Sequence, residues 1–284
     1  MKHRPLVTAY LTVCLFLFLL LSGITALAEE DLSLRGNYVQ GGLVFGTTLP
    51  GSAVLVDGNP LPVSTDGLFV VGFGRDETGS RSLEITLPGG RQLQQDLVIA
   101  TREFNIERVD GLPPSRVTPD PSAMERIRAE GAMVRQARKR RDNVARYAAG
   151  FKWPATGRLS GFYGSQRILN GEPRNPHYGL DIAAPEGSPV YAPAPGLVTF
   201  THADMYYSGG TIILDHGQGL SSSFLHLSKI LVETGTQVST GDLIGHIGAT
   251  GRATGPHLDW RMSWHDRRVD PRLLLPEPPE GIVE

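Results

Sequence analysis

The chain has 284 residues, enough for one large domain or two modest domains with buried cores. Its formal net charge of −2 and its sequence pI of about 6.5 argue against a nucleic-acid-binding protein. The 34 glycines and 21 prolines argue against a mainly helical protein and indicate many turns and much β-structure.

Residues 1–28 have the features of a secretory signal peptide. A basic start, from Lys2 to Arg4, precedes a long apolar run that ends in Ala26-Leu27-Ala28. We expect cleavage after Ala28, which would leave a periplasmic or secreted protein with no stable membrane span. The alternative is an uncleaved N-terminal anchor, since the apolar run is nearly long enough to cross a bilayer. The single cysteine, Cys14, lies in this segment, so any metal in the mature chain must be bound by histidines and carboxylates.

Residues 29–108 show short alternating stretches that are separated by turns. Val54-Leu55-Val56 precedes Asp57-Gly58, and an alternating run from Leu83 to Leu87 precedes Pro88-Gly89. About seven strands in this length predict a small, immunoglobulin-like β-sandwich. We find no catalytic residue set here and expect a spacer or binding module.

Residues 109–150 form a Pro-rich linker followed by a predicted basic helix. Ser122 can cap the helix, with Glu125 three residues on. A narrow apolar stripe then continues at helical spacing as far as Ala148, and it predicts a helix that packs along one side. The basic run at residues 138–141 is interpreted as a solvated helix face, and contact with anionic lipid or cell-wall polymer is the alternative.

Residues 151–272 change character, because glycine turns interrupt short apolar strands throughout. No segment there has a convincing helical period, so we predict an antiparallel β-sheet domain. A Pro-rich tail, residues 273–284, follows it.

Histidines and carboxylates recur in this last domain at suggestive spacings. His177 and Asp181 are four residues apart just before a predicted strand, and His257 and Asp259 alternate on one face of another. His226 lies between two leucines, on a strand with one buried face. Taken alone, each of these features is equally typical of a histidine or carboxylate with a purely structural role.

Together these features occur within a longer pattern. The segments "HYGLDIAAPEGSPVYAPAPGLV", "LDHGQG", "FLHL" and "GDLIGHIGATGRATGPHLDW" follow one another in that order. The pattern resembles the LytM/lysostaphin-type M23 zinc metallopeptidases over roughly residues 151–272. It does not extend to the N-terminal domain or the basic helix.

The resemblance implies one Zn²⁺ on a β-sheet and two histidines that act on the water and the transition state. His177 and Asp181 match two of the family's ligands, and His226 and His257 match its two catalytic histidines. Of these, His257 is our choice for general base, with His226 stabilising the oxyanion or protonating the leaving amine. The two roles can be exchanged. The third ligand position differs, because Asp259 stands where the family has histidine.

Ligand chemistry indicates what this difference should do. Zinc accepts carboxylate oxygen at about 2.0–2.2 Å, close to its distance to imidazole nitrogen. His177, Asp181 and Asp259 with one open position would therefore be a catalytic arrangement. Two carboxylates should nevertheless weaken the Lewis acidity of the metal and raise the pKa of a bound water above about 7. We expect metal binding with reduced or shifted activity.

The resemblance also implies a substrate, the cross-linked peptides of bacterial peptidoglycan. Residues 160–174 would border the site, where Arg167 and Arg174 are candidates for binding substrate carboxylates. Surface arginines with no specific role are the plain alternative.

Two rival interpretations follow from the same sequence. One is a degenerate peptidase domain that binds the cell wall as a regulator or amidase activator, with a cell-wall or divisome protein as partner. Such a protein should have lost several site residues, whereas only one of the five matched residues differs here. The other is a lipoyl- or biotinyl-type carrier, suggested by "GTQVSTGDLIGHIG". It is rejected because neither Lys152 nor Lys229 lies at a predicted hairpin tip.

Overall fold

The computed structural model of the protein describes residues 31–111 and 120–283. The predicted signal peptide and its cleavage point lie outside these residues. Within the described part of the chain, no helix is both long and apolar enough to cross a membrane. Strands predominate and one α-helix is present in the two described ranges, which confirms the predicted mostly-β fold class.

The N-terminal part consists of two small antiparallel sheets around a shared core. One sheet has the order β1-β2-β5 and the other β4-β3-β6-β7. The alternation predicted from the sequence is visible in the burial, since Val54 and Val56 point inward with Leu83 and Ile85. The strands are β1 (Leu32–Gly36), β2 (Leu43–Thr48), β3 (Ala53–Val56), β4 (Asn59–Leu61), β5 (Leu68–Gly72), β6 (Gly79–Thr86), β7 (Gln92–Ile99) and β8 (Ile106–Val109).

Helix α1 (Met124–Ala137) is shorter than the apolar periodicity predicts. A 3₁₀ turn at Pro121–Ala123 precedes it, and Asp120 rather than Ser122 caps that turn, accepting the backbone N–H of Ser122 at 2.8 Å. The prediction that the helix continues through residues 138–148 is wrong. Consecutive like charges would repel one another on a continuing helix, and these arginines instead bind separate partners on the neighbouring sheet and turn.

The C-terminal part consists of one large sheet, antiparallel except at its last strand, and a separate two-stranded hairpin. The large sheet has the order β17-β14-β15-β16-β19-β12-β9-β21, with β13, β18 and β20 attached beside this path. Strand β15 is buried along its whole length, as expected for a central strand. The strands are β9 (Gly157–Gly161), β10 (Gln166–Leu169), β11 (Glu172–Pro173), β12 (Leu180–Ala183), β13 (Pro189–Tyr191), β14 (Gly196–Met205), β15 (Gly209–Gly217), β16 (Leu220–Ile230), β17 (Gln237–Val238), β18 (Leu243–Ile247), β19 (His257–Trp264), β20 (Arg267–Val269) and β21 (Ile282–Val283).

The hairpin β10–β11 links the two parts of the molecule. Strand β10 pairs in parallel with β8, the last strand of the N-terminal part, and antiparallel with β11. The backbone N–H of Gln166 also donates to the carbonyl of Asn105 at 2.7 Å. Pairing to β8 therefore holds the segment that approaches His177 against the rest of the fold.

His216, which the sequence analysis does not assign to the site, is a buried structural histidine. Its Nδ1 and Nε2 lie 2.8 Å from the carbonyl of Pro195 and 2.7 Å from Ser222 Oγ. Burial lowers the pKa of His216 to about 4. The folded protein therefore keeps the imidazole neutral at pH values where the unfolded chain protonates it, below about 6.5.

We accordingly expect the free energy of unfolding to fall as the pH drops from about 6.5 to about 4, by about 3 kcal/mol from this residue. The variant His216→Gln has no titrating group at this position. Its free energy of unfolding, measured by urea denaturation at several pH values, should depend less steeply on pH over that range. An unchanged slope would contradict the assignment.

Candidate metal centre

Two carboxylates face each other across neighbouring strands at the centre of the candidate site. Asp181 on β12 and Asp259 on β19 are paired residues in the antiparallel register, so their side chains lie on one face of the sheet. We call this surface the site face. Both carboxylates are buried, with 7% and 2% of the residue exposed. Like charges directly opposite one another are destabilising, so this pair requires a nearby cation.

His177 completes a group of three buried side chains. Its backbone N–H donates to the carbonyl of Ser165 and its carbonyl accepts from the N–H of Gly164, at 2.9 and 2.7 Å, which fixes the loop before β12. One ligand atom each from His177, Asp181 and Asp259 lie within 4.8 Å of one another. The structure thus brings together the three residues that the sequence analysis names as candidate ligands.

Two atoms of this group have no hydrogen-bond partner among the described residues. These are Nε2 of His177 and Oδ1 of Asp181, which are buried and lie 3.1 Å apart, an ion-pair distance for a protonated imidazole but without the geometry of a hydrogen bond. Buried polar atoms are almost always hydrogen-bonded, so an unsatisfied pair aimed at one point needs an explanation. A metal ion bound by both atoms would provide one, and the donor set of imidazole and carboxylate suits Zn²⁺.

Glycines allow the backbone to approach the carboxylates closely. A Cβ atom at Gly161 would lie 2.2 Å from Asp181 Oδ2, and one at Gly179 would lie 2.2 Å from Asp259 Oδ1. Neither position has room for a side chain. Glycine at both positions is therefore what leaves space for the two carboxylates.

Arg261 is the site residue that sequence reasoning missed. It follows Asp259 by two residues on β19, and its Nε lies 2.9 and 3.0 Å from the two carboxylate oxygens of Asp259. Burial alone would raise the pKa of Asp259, but the charge and hydrogen bonds of Arg261 outweigh it and hold that pKa well below its usual range. The available signal was the alternation of His257, Asp259 and Arg261 on one strand face.

The pairing with Arg261 does not exclude Asp259 as a metal ligand. A carboxylate offers about four lone-pair directions, and Arg261 uses only part of them. The residues present therefore fit a zinc ion. Two carboxylates would offset the full charge of Zn²⁺. The guanidinium of Arg261 adds one positive charge beside them, so the whole centre would carry a net positive charge.

The two candidate catalytic histidines lie side by side. Their ring centroids are 4.7 Å apart, and each ring uses Nδ1 towards a carbonyl, with His226 at 2.8 Å from Thr250 O and His257 at 2.8 Å from Gly255 O. In the neutral rings Nδ1 therefore carries the proton and Nε2 is left as the base. Burial lowers the pKa of His226, against the opposing charge of Asp259, which favours its neutral form.

His226 also has an unusual backbone conformation. Its φ of 65° lies in the left-handed region, which is uncommon for a residue with a side chain. Its N–H donates to the carbonyl of Ser208 at 2.8 Å, which helps to hold this conformation. Such strain persists where the surroundings impose it, and it is frequent at functional sites.

The two arginines proposed for substrate binding differ in their distance from the carboxylates. Arg167 on β10 lies near the site, with Nη2 3.8 Å from Asp181 Oδ2. Arg174 follows β11, and its backbone N–H donates to the carbonyl of Arg167 at 2.8 Å. The structure therefore brings Arg167 to the site face and leaves Arg174 one strand further out.

Comparison with known proteins identifies the family of this chain. The model of Peptidase family M23 matches residues 175–271. The crystal structure of a Pseudomonas aeruginosa protein assigned to peptidase M23 superposes with a TM-score of 0.65 and 32% identity, covering 84% of this chain and 95% of that one. The chain therefore belongs to the M23 peptidases, and the resemblance found in the sequence is confirmed.

Curated relatives are similar to this chain over a shorter stretch. Peptidoglycan DD-endopeptidase ShyA of Vibrio cholerae is 40% identical over 126 residues, which are 44% of this chain and 28% of the relative. DD-carboxypeptidase/endopeptidase Mpg of Neisseria meningitidis is 39% identical over 103 residues, covering 36% and 24%. The cell division protein DipM of Caulobacter vibrioides is 30% identical over 166 residues, covering 56% and 26%. The match thus spans about a quarter of the length of these relatives.

Proposed function

We propose that this protein is a zinc-dependent peptidase that hydrolyses peptide bonds of bacterial peptidoglycan outside the cytoplasm. The observation that carries the proposal is the pair of unsatisfied buried atoms, His177 Nε2 and Asp181 Oδ1, beside the facing carboxylate of Asp259. Two neighbouring imidazoles, His226 on β16 and His257 on β19, use Nδ1 towards carbonyls, which leaves Nε2 of each for proton transfer.

His177, Asp181 and Asp259 would hold the zinc ion in this proposal. When bound, zinc polarises a scissile carbonyl and lowers the pKa of a coordinated water. His257 takes up a proton at Nε2, because its Nδ1 is committed to Gly255 O. In its imidazolium form, with Nδ1–H still on Thr250 O and a second proton taken up at Nε2, His226 would donate from Nε2 to the developing oxyanion or the leaving amine. The opposite assignment of the two histidines would use the same geometry.

The cell wall as substrate is supported by the relatives and by charge. ShyA and Mpg are named for peptidoglycan endopeptidase and DD-carboxypeptidase/endopeptidase activity. Arg167 and Arg261 place positive charge beside the candidate centre, which suits peptides that carry carboxylates. A signal peptide at residues 1–28 would deliver the protein to the compartment that contains this polymer.

The test is digestion of purified peptidoglycan by the zinc-supplemented protein, with the released fragments identified by mass spectrometry. We expect new peptide ends in the fragments. His226→Ala and His257→Ala should each lower the rate by about a hundredfold or more, the usual contribution of a general acid or base.

His246→Ala is the matched control, because His246 lies on β18 and not among the site residues. This control should keep the wild-type rate. Intact peptidoglycan after prolonged incubation with zinc-loaded protein would contradict the proposal, as would equal loss in all three variants.

A second candidate function is a non-hydrolytic regulator that binds the cell wall or a division protein. The observation that favours it is the ion pair between Arg261 and Asp259, because a guanidinium can satisfy that carboxylate without any metal. This function predicts no zinc in the purified protein and no cleavage, together with retained binding to peptidoglycan in a sedimentation assay.

A further inference from the structure

The site face continues beyond the candidate metal centre as a polar strip. On β19, Arg261 and Ser263 follow Asp259 at every second position, so all three side chains point to the same face. Their partners across the strand pair are Ser223 and Ser221 on β16. A floor of serines and one arginine is unusual at the centre of a sheet, where apolar residues are expected.

Arg138 extends onto this strip from the residue after helix α1. Its Nη2 donates to Ser223 Oγ at 2.8 Å, and Ser223 is the cross-strand partner of Arg261. Its Nε is buried and has no hydrogen-bond partner among residues 31–111 and 120–283. The early end of α1 is what allows this side chain to turn towards the sheet.

Arg268 approaches the same strip from β20 on the other side. Its Nη1 donates to Ser263 Oγ at 2.8 Å, and the two residues are paired between β19 and β20. Both arginines thus reach the strip through a neutral serine hydroxyl. Of the three arginines on the strip, only Arg261 forms an ion pair with a carboxylate among the described contacts, namely with Asp259.

The electrostatic consequence is an excess of positive charge that is partly buried. Burial lowers the pKa of Arg138 well below its usual range, and the charges of Arg268 and Arg261 lower it further. Burial likewise lowers the pKa of Arg268 to about 10, with a contribution from Arg261 and against the opposing charge of Asp259. A buried charge without a counter-charge is costly, and an oxyanion bound between the arginines would remove that cost.

We propose that Arg138, Arg261 and Arg268 form an oxyanion subsite that binds a carboxylate of the peptide substrate beside the bond to be cut. Arg261 contacts Asp259 directly, with Nε 2.9 Å from Oδ1, so a carboxylate bound between the three arginines would lie next to the candidate centre. We place this carboxylate on a substrate residue close to the scissile bond. Planar guanidinium groups pair with carboxylates bidentately and recognise them selectively. The inference rests on the proposed peptidase function for the identity of its ligand as a peptide.

The test is binding of two probes that differ only in charge, N-acetyl-D-alanyl-D-alanine and its C-terminal amide. Both are titrated into the purified protein after removal of metal by chelation, and amide chemical shifts report saturation by nuclear magnetic resonance. We expect the free carboxylate to bind about tenfold or more tightly than the amide, as for charge-assisted hydrogen bonds. Arg138→Gln and Arg268→Gln should each abolish this preference.

The matched control is Arg135→Gln, an exposed arginine on α1, which should keep the preference for the carboxylate. Equal affinity for the two probes, or no saturable binding of either, overturns the subsite. So does a preference that survives in Arg138→Gln and Arg268→Gln.

The metal-free design separates the subsite from the proposed function. If the zinc-loaded protein hydrolyses peptidoglycan but binds the two probes equally, the proposed peptidase function is supported and the subsite is contradicted. If the protein prefers the carboxylate probe but hydrolyses nothing, the subsite is supported and the peptidase function is contradicted.

Discussion

Purified protein supplemented with zinc and then freed of excess metal should contain about one zinc ion per chain, and the Asp259→Ala variant should contain almost none. Replacing residues that only orient metal ligands typically costs about 10–100-fold in metal affinity, so the loss of a ligand itself should weaken binding by about a hundredfold or more. Elemental analysis gives the content, and competition with a chelator gives the affinity.

Three further variants make this experiment selective. Asp259→His introduces the residue that the family pattern has at this position and should keep the zinc. Asp259→Asn keeps the shape of the side chain while removing its charge, and it should lose zinc like Asp259→Ala. Asp204→Ala removes an aspartate whose side chain is 79% exposed and should leave the zinc content unchanged. Wild-type protein that binds no zinc even when it is supplied would instead favour the regulator.

Arg261→Gln should destabilise the metal-free protein by about 3 kcal/mol, the usual cost of leaving one member of a buried ion pair uncompensated. The reason is the register of β12 and β19, which sets Asp181 directly opposite Asp259. Arg261 is the side chain that hydrogen-bonds both oxygens of Asp259. Without it, Asp259 would lose its cation and face the carboxylate of Asp181, whose arginine partner, Arg167, is more distant at 3.8 Å.

Zinc should reverse most of this loss, because the metal supplies the missing positive charge. The measurement is urea denaturation of wild type and Arg261→Gln, each with and without zinc. Arg267→Gln is the control, since Arg267 pairs with Glu77, whose side chain is 20% exposed, whereas that of Asp259 is 3% exposed. Its loss should be small and independent of zinc. An equal loss for Arg261→Gln with and without the metal would show that Arg261 does not act as the cation of this centre.

Local patterns predicted much of what the structure contains. Alternation placed the strands around Val54 and Leu83, because the side-chain period of a strand is two residues and burial follows it. The spacing of His177 with Asp181 and of His257 with Asp259 marked the candidate centre for the same reason. The end of α1 was predicted wrongly. The apolar stripe continues in the sequence beyond Ala137, but the helix ends there and Arg138 binds Ser223 on the sheet.

The sequence by itself therefore determined the class of fold, the family and the chemical types of the candidate ligands, all of which depend on neighbours within one strand or turn. Tertiary structure alone decided that Asp181 stands opposite Asp259, that Arg261 neutralises the latter, and that Arg138 and Arg268 hydrogen-bond to Ser223 and Ser263 on the same face. These contacts join segments distant in the chain, and their register is set by packing of the whole sheet. Whether a charged residue is solvated, paired or left for a ligand depends on that packing, which no local pattern contains.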